Sequence, residues 1–295
     1  MKKIEEKYYA IWLSLIDELG IKKYTKLIEK FQNIQGIWNA KYEELLKVQG
    51  IGEKLAKKIT NENTKKEVKK HLEYMTKNKI EIISIWEKEY PYLLKNIVDS
   101  PISIYVRGNK EILNNIGIAI IGCREATEYG IKVAKKIAYE LAKEKITIIS
   151  GLAKGIDSAS HLGAIYAKEK TIAVLGNGLD MVYPSENLKL AKKILEENGA
   201  IISEYPLGTK PNKINFPARN RIISGLSRGI LVVEAKEKSG TLITVDFALE
   251  QGKDIFVIPG NIDSKNSYGT NELIKQGAKL VTNSQEIIEE YNKMC

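Results

Sequence analysis

The residues of this chain best suited to chemistry are cations and hydroxyls set beside glycines, and their spacing suits holding anions more than breaking bonds. Of 46 basic residues only five are arginine: Arg107, Arg124, Arg219, Arg221 and Arg228. A chain that uses lysine by default keeps arginine for places where a planar, bidentate donor is needed, at phosphate oxygens or a buried carboxylate. Three of the five fall in KINFPARNRIISGLSRG (213–229), a segment read as a loop that joins Lys213, Phe216, Arg219, Asn220 and Arg221. Phenylalanine is scarce, four in all, so Phe216 beside these cations is notable. Unpaired bases stack on such a ring while lysine and arginine take the backbone, at roughly 1–3 kcal/mol per stacked base. The competing reading is structural: Phe216 and Pro217 wedge the loop against the core, and the arginines form ion pairs that fix it.

Three further glycine segments carry the same chemistry. In GCREATEYG (122–130), Arg124 leaves a strand end and Thr127 is placed to cap a helix beginning near Glu128. SGLAKGID (150–157) offers Ser150, Gly151 and Lys154 ahead of another helix, which suits a backbone amide cradle for phosphate. KSGTLITVDFALEQG (238–252) opens a helix with Ser239, Gly240 and Thr241, exposing N-terminal amides to an anion. Four such segments on one sheet edge suit a run of phosphates better than a single nucleotide.

Signs of catalysis or cofactor binding are weak. There is no GxxxxGK[ST], and Met181 stands where Gly176 and Gly178 would need a third glycine to complete a dinucleotide fingerprint. His161, in SASHLGA, has no GxSxG serine and reads as structural; Asp157, Glu204, Glu234 and Asp246 are scattered and read as helix caps or arginine partners. His71 and His161 are the only histidines, and Cys123 and Cys295 the only cysteines, which supports neither a metal centre nor a disulfide framework. No metal and no cofactor are expected.

The elements that must position these residues follow from periodicity. GIAIIG (117–122), ITIISG (146–151), TIAVLG (171–176), AIISEY (200–205), GILVVEA (229–235) and DIFVIPG (254–260) alternate with amphipathic helices. That pattern predicts an α/β fold, a Rossmann-like, doubly wound, mostly parallel sheet whose ligand crevice lies at the carboxyl ends of its strands. A strand-turn-strand preface (79–115) leads into this domain, which is expected to span 79–295. Residues 1–78 read instead as a small all-α domain of the helix-hairpin-helix (SAM-like) kind. LLKVQGIGEKLAKKI (45–59) sets Gly50 and Gly52 before a helix bearing Lys54 and Lys57, a candidate secondary phosphate contact or only a packing element. ELGIKKYTKLI (18–28) resembles a weaker copy.

Charge and hydropathy agree. The net charge of +9 divides into +7 over residues 1–80 (18 lysines, 11 acids) and +2 over the rest (28 bases, 26 acids). A basic segment of this kind serves nucleic acid, an anionic surface or solubility alone. Glu5, Glu6, Ser14 and Asp17 interrupt any signal-peptide core, and the apolar runs are far shorter than the roughly 20 residues of a membrane span. A soluble protein of the reducing cytoplasm, without a membrane partner, is expected.

Taken in order, GCR at 122, SGLAKGID at 150, AVLGNGLD at 173, FPARNRIISGLS at 216, EAKEKSGTLIT at 234, VIPGN at 257 and GTNELIKQGA at 269 closely resemble the DNA-processing protein A family, DprA or Smf. The resemblance covers nearly the whole chain. It implies a protein without catalytic residues that binds single-stranded DNA, forms homodimers through the Rossmann-like domain and loads the RecA recombinase on incoming DNA during natural transformation. It further implies that Arg124, Gly151, Lys154, Lys213, Phe216, Arg219 and Asn220 line the DNA pocket, with Ser239, Gly240 and Thr241 nearby. Two departures are visible. Lys154 stands where the family commonly has arginine, and the C-terminal winged helix of many members is expected to be absent from a chain ending at Cys295. An enzyme of the same superfamily, a phosphoribohydrolase with a PGGxGTxxE loop, is the rival reading, but Thr244 stands where its glutamate belongs.

Overall fold

The structure is a computed structural model that describes residues 2–293; Met1, Met294 and Cys295 lie outside the described residues. Six helices come first: α1 (Lys2–Ser14), α2 (Ile21–Phe31), α3 (Ile34–Asn39), α4 (Tyr42–Leu45), α5 (Glu53–Ile59) and α6 (Glu62–Lys77). The chain then enters β1 (Ile80–Ser84), α7 (Tyr92–Lys95) and β2 (Ser103–Gly108). The alternating part follows: β3 (Gly117–Ile121), α8 (Glu128–Lys143), β4 (Thr147–Ser150), α9 (Ile156–Tyr166), β5 (Thr171–Val174), α10 (Leu188–Glu196) and β6 (Ala200–Ser203). It ends with α11 (Asn215–Leu226), β7 (Gly229–Val232), α12 (Gly240–Glu250), β8 (Asp254–Val257), α13 (Tyr268–Lys275), β9 (Lys279–Leu280) and α14 (Ser284–Lys293).

All nine strands form one sheet, in the order β1-β2-β6-β5-β4-β3-β7-β8-β9. From β6 to β9 every pairing is parallel. The α/β, Rossmann-like reading therefore holds, with the helical segment in front. The preface is more than a lead-in. β1 and β2 pair antiparallel, and β2 pairs antiparallel with β6, so this segment becomes the edge of the sheet itself.

Helices cover both faces, which is why the inner strands read as unbroken apolar runs rather than alternating ones. On one face Ile118, Ile120 and Ile148 pack with Ala134, Ile137 and Leu141 of α8 and with Ile287 of α14. On the other, Ala119, Ile121, Ile149 and Val174 pack with Ile222 and Ile223 of α11 and Val245 of α12. The helical segment does not stand apart. Trp12 and Leu13 from the last turn of α1, and Ile16 just beyond it, share a continuous core with Ile82, Tyr105, Ala173, Leu190 and Ile201.

Two local readings change. The segment read as the loop 213–229 is mostly helix α11. Pro217 lies in its first turn, where a missing N–H costs nothing and the fixed φ suits the helix. Asn212 leads into it, its Oδ1 accepting from Ile214 N at 3.1 Å and its carbonyl from Asn215 N at 3.1 Å. In the helical part, the weak repeat proves geometrically close: Gly20 caps α2 at φ −86°, ψ 171°, and Gly52 caps α5 at φ −87°, ψ 174°. Two residues ahead of each cap the backbone is left-handed, at Glu18 (φ 70°) and Gly50 (φ 89°).

Candidate nucleic-acid interface

The strand order reverses between β3 and β7, and a cavity of about 510 Å³ opens there, at the switch point where doubly wound sheets bind ligands. Its walls come from the three segments after β3, β7 and the start of α11: Gly122 to Glu125, Lys236 with Ser239 to Thr241, and Lys213, Phe216, Arg219 and Asn220. A smaller hollow of about 130 Å³ shares Arg124, Phe216 and Arg219 with it and adds Gly151, Lys154, Tyr183 and Pro184. Among the residues lining the two, five cations (Arg124, Lys154, Lys213, Arg219, Lys236) face two carboxylates (Glu125, Asp157). The crevice is therefore anion-attracting.

Phe216 sits at the centre of a stack. Tyr183 lies parallel to it, with ring centroids 5.3 Å apart and planes 28° apart, and the Arg124 guanidinium lies 5.5 Å from the Phe216 centroid. Arg124 and Tyr183 are both exposed. Tyr183 lines the smaller hollow, a placement that motif reading overlooked; its signal in the sequence is an aromatic beside proline in a loop after AVLGNG.

The loop bearing Arg124 is pinned from beneath. Cys123 N donates to the Glu234 carbonyl at 3.0 Å, Thr127 N to Glu234 Oε2 at 3.0 Å and Asn266 Nδ2 to Glu125 O at 2.8 Å. Thr127 Oγ1 also donates to Glu234 Oε1 while accepting from Gly130 N as the cap of α8. Gly155, at φ +75°, brings the start of α9 against this loop; a Cβ there would meet the Cys123 carbonyl oxygen at 2.3 Å. Glu234 and Asn266 thus aim Arg124 without facing the crevice themselves, a function invisible before the fold is known.

The predicted residues divide. Arg124, Lys213, Phe216, Asn220, Ser239, Gly240 and Thr241 converge on the larger cavity, and Gly151 and Lys154 on the smaller. Ser239 precedes α12 without capping it, and its buried Oγ has no partner, so its side chain leaves the Gly240 and Thr241 amides uncapped. Asn220 ties α11 to α12 through Nδ2 to Gly240 O at 3.2 Å. Lys154 and Lys236 are held by the exposed carboxylates of Glu186 and Glu125, which lie below their usual range because of these partners.

Two assignments, Ser150 and Arg221, are corrected, and Arg219 takes a second role. Ser150 is fully buried and its hydroxyl donates to Ile120 O at 2.7 Å, so it braces β4 against β3 and presents nothing to a ligand. Arg221 points away from the crevice, gripping Glu204 through two bonds of 2.6 Å and the Asp99 carbonyl at 2.9 Å. Arg219 does line both hollows, yet it is 5 % exposed and bonds the carbonyls of Gly151 (2.8 Å) and Val174. Burial, and secondarily Arg124, lowers its pKa to about 10, which leaves it charged. Asp157 beneath it accepts from Gly151 N at 3.1 Å and Ala153 N at 3.2 Å, and burial raises its carboxyl. Arg219 is chiefly a clamp holding the 150–157 loop.

The helix-hairpin-helix residues contribute nothing to either hollow. Lys54 is bound to Glu18 at 2.5 Å and Lys57 lies 3.5 Å from Glu53, while Gly50 and Gly52 shape the turn. Among the described residues no group of histidines, cysteines and acids could hold a metal ion, and no helix is long and apolar enough to cross a membrane.

Residues 81–292 match the family model of DNA recombination-mediator protein A, and residues 12–72 match that of the helix-hairpin-helix motif. The chain is 37 % identical to the protein Smf of Synechocystis sp. over 292 residues, which is 98 % of this chain and 73 % of that protein. It is 45 % identical over 208 residues to the DNA processing protein DprA of Streptococcus pneumoniae, 70 % of this chain and 73 % of the relative. The X-ray structure of S. pneumoniae DprA superposes with a TM-score of 0.78 at 36 % identity, over 96 % of this chain and 97 % of the other. A Helicobacter pylori DprA structure, described for its single-stranded DNA binding mode, superposes with a TM-score of 0.66 at 33 % identity, over 72 % and 96 %. With the family match spanning the sheet and its crevice, and the Synechocystis relative aligning over the helical front as well, the chain belongs to the DNA recombination-mediator protein A family, DprA/Smf.

Proposed function

We propose that the crevice between β3 and β7 binds single-stranded DNA, and that the protein acts in the cytoplasm as a homodimer that protects incoming strands and loads RecA on them during natural transformation. The observation that carries the DNA reading is the Tyr183–Phe216–Arg124 stack set among Lys154, Lys213 and Lys236. A phosphate entering the crevice draws Arg124 off Phe216, since a charge-assisted bond to phosphate outweighs an exposed cation–π contact. The uncovered ring face then accepts a base, and the uncapped amides at the start of α12 accept a further phosphate. The bound strand is held and no bond is made or broken: Glu125 is paired with Lys236, and Asp157 is engaged by backbone amides. The H. pylori relative studied for its single-stranded DNA binding supports the same reading. Linking two crevices in a dimer raises the effective affinity for a long strand without any new contact.

The test is fluorescence anisotropy of labelled single- and double-stranded oligonucleotides across a salt series, with wild type, Arg124→Ala/Phe216→Ala and Tyr183→Ala. Single strands should bind preferentially, with log K falling by roughly 0.7 per contacted phosphate for each decade of salt. The double variant should lose at least about 2 kcal/mol of binding, and Tyr183→Ala roughly 1 kcal/mol. A folded double variant that binds as well as wild type refutes the crevice assignment. RecA loading is tested separately, by strand assimilation on DNA coated with a single-strand-binding protein.

A further inference from the structure

Two helices begin at the crevice and lead away from it. α8 follows its cap Thr127, three residues beyond Arg124, and α9 carries Asp157 in its first turn. Gly163 lets the two lie in close contact; a Cβ there would stand 2.4 Å from the Lys135 carbonyl oxygen. Their outer surface alternates aromatic rings with ammonium groups. Tyr139 is 39 % exposed and Tyr166 53 %. Lys143 Nζ lies 5.7 Å from the Tyr139 centroid, and Lys135 Nζ 4.2 Å from that of Tyr166. Lys132 and Lys136 are exposed on the same face of α8, at helical spacing from Tyr139 and Lys143.

The charge on this face is one-sided. α8 carries four lysines against Glu128 and Glu140, and Glu140 is engaged by Ser284 Oγ at 2.7 Å and Lys136 at 3.9 Å. By the rise of an α-helix, the rings stand about 15–18 Å along their helices from the crevice. Exposed rings with cations over their faces match the alternating ring faces and phosphates of a single strand.

We propose that the outer face of α8 and α9 is a second contact for single-stranded DNA, occupied by the length of strand that leaves the crevice over the Arg124 loop. The proposal rests on the reading of the crevice as the primary single-stranded DNA site. On binding, Lys135 and Lys143 move from the rings to phosphates, and bases take the ring faces they vacate.

The test compares an oligonucleotide of about six nucleotides, which fills the crevice, with one of about thirty, which extends beyond it. Wild type is compared with Lys135→Gln/Tyr139→Ala/Lys143→Gln/Tyr166→Ala and with the ring-preserving Tyr139→Phe/Tyr166→Phe, each checked for folding by circular dichroism. The quadruple variant should bind the short strand as wild type does but the long strand about tenfold more weakly, with a salt slope shallower by about 1.4 for two lost phosphate contacts. The phenylalanine variant should bind both strands as wild type does. Equal long-strand affinity for wild type and the quadruple variant overturns the proposal, and so does a loss as large for the short strand as for the long. Failure of wild type to bind the short strand overturns the crevice reading instead, and the two failures are thereby told apart.

Discussion

Arg219 and Arg221 stand two positions apart on α11, which on a helix turns their side chains about 200° from each other. One therefore faces the crevice and the other the junction with Glu204 and Asp99. Arg221→Met should cost about 3–5 kcal/mol in urea unfolding, because it strands the carboxylate of Glu204, 17 % exposed, without its partner. Oligonucleotide affinity of the folded fraction should not change. Arg124→Ala should show the reverse, with binding lost and stability kept, since Arg124 is exposed. His161 makes a pH prediction. Thr171 Oγ1 gives its hydrogen to Ile148 O at 2.7 Å, so His161 Nδ1 must donate to it across 2.7 Å, leaving Nε2 bare, buried and without a partner. Burial lowers its pKa to about 3, against about 6.5 in the unfolded chain. Below pH 6.5 the unfolded state binds a proton that the folded state refuses, so stability falls as pH falls through that window. Between about pH 7.5 and pH 5 His161 should account for about 2 kcal/mol of lost stability, a difference that His161→Leu should remove in urea titrations.

At the scale of elements, the two helical hairpins show how similar backbones take different roles. The left-handed position filled by Gly50 in the second hairpin is filled by Glu18 in the first, and Glu18 reaches Lys54 at 2.5 Å and Lys58 at 3.5 Å. Asp17 lies 3.6 Å from Lys58 as well. The hairpin pair thus supplies its own counter-ions to the lysines of α5. Asp17→Asn/Glu18→Gln should raise the affinity of the protein for duplex DNA severalfold at low salt, read by anisotropy; unchanged affinity would make the second hairpin a packing element. α11 shows a different lesson. Its glycine, proline and asparagine content resembles a loop, but Pro217 in the first turn and the Asn212 turn ahead of it are helix-start devices.

Across the whole molecule, the helical front and the sheet are joined by shared burial. Ser14 gives its hydroxyl hydrogen to Ile11 O at 2.7 Å and accepts from the fully buried Tyr105 hydroxyl of β2 at 2.6 Å. Because Trp12, Ile16, Ile82, Tyr105 and Ile201 occupy one core, unfolding should be a single cooperative transition. Trp12, Trp38 and Trp86 report the front of the chain, so thermal melts followed by tryptophan fluorescence and by far-ultraviolet circular dichroism should coincide; separated midpoints would show that the shared core does not couple the two parts. The alternation of apolar strands and amphipathic helices was legible along the chain, because burial on both sheet faces forces a local period. The glycine segments holding Arg124, Lys213, Phe216 and Ser239 to Thr241 were legible too, because turns and helix starts demand particular residues at fixed offsets. Which of Ser150, Arg219 and Arg221 face a ligand was not, since a side chain's direction depends on neighbours brought from far along the chain: Ile120, Val174, Glu204. Tyr183 entering the Phe216 stack, and Glu234 and Asn266 pinning the Arg124 loop across more than a hundred residues, were likewise decided only by the tertiary structure, because contacts between distant segments leave no period in sequence.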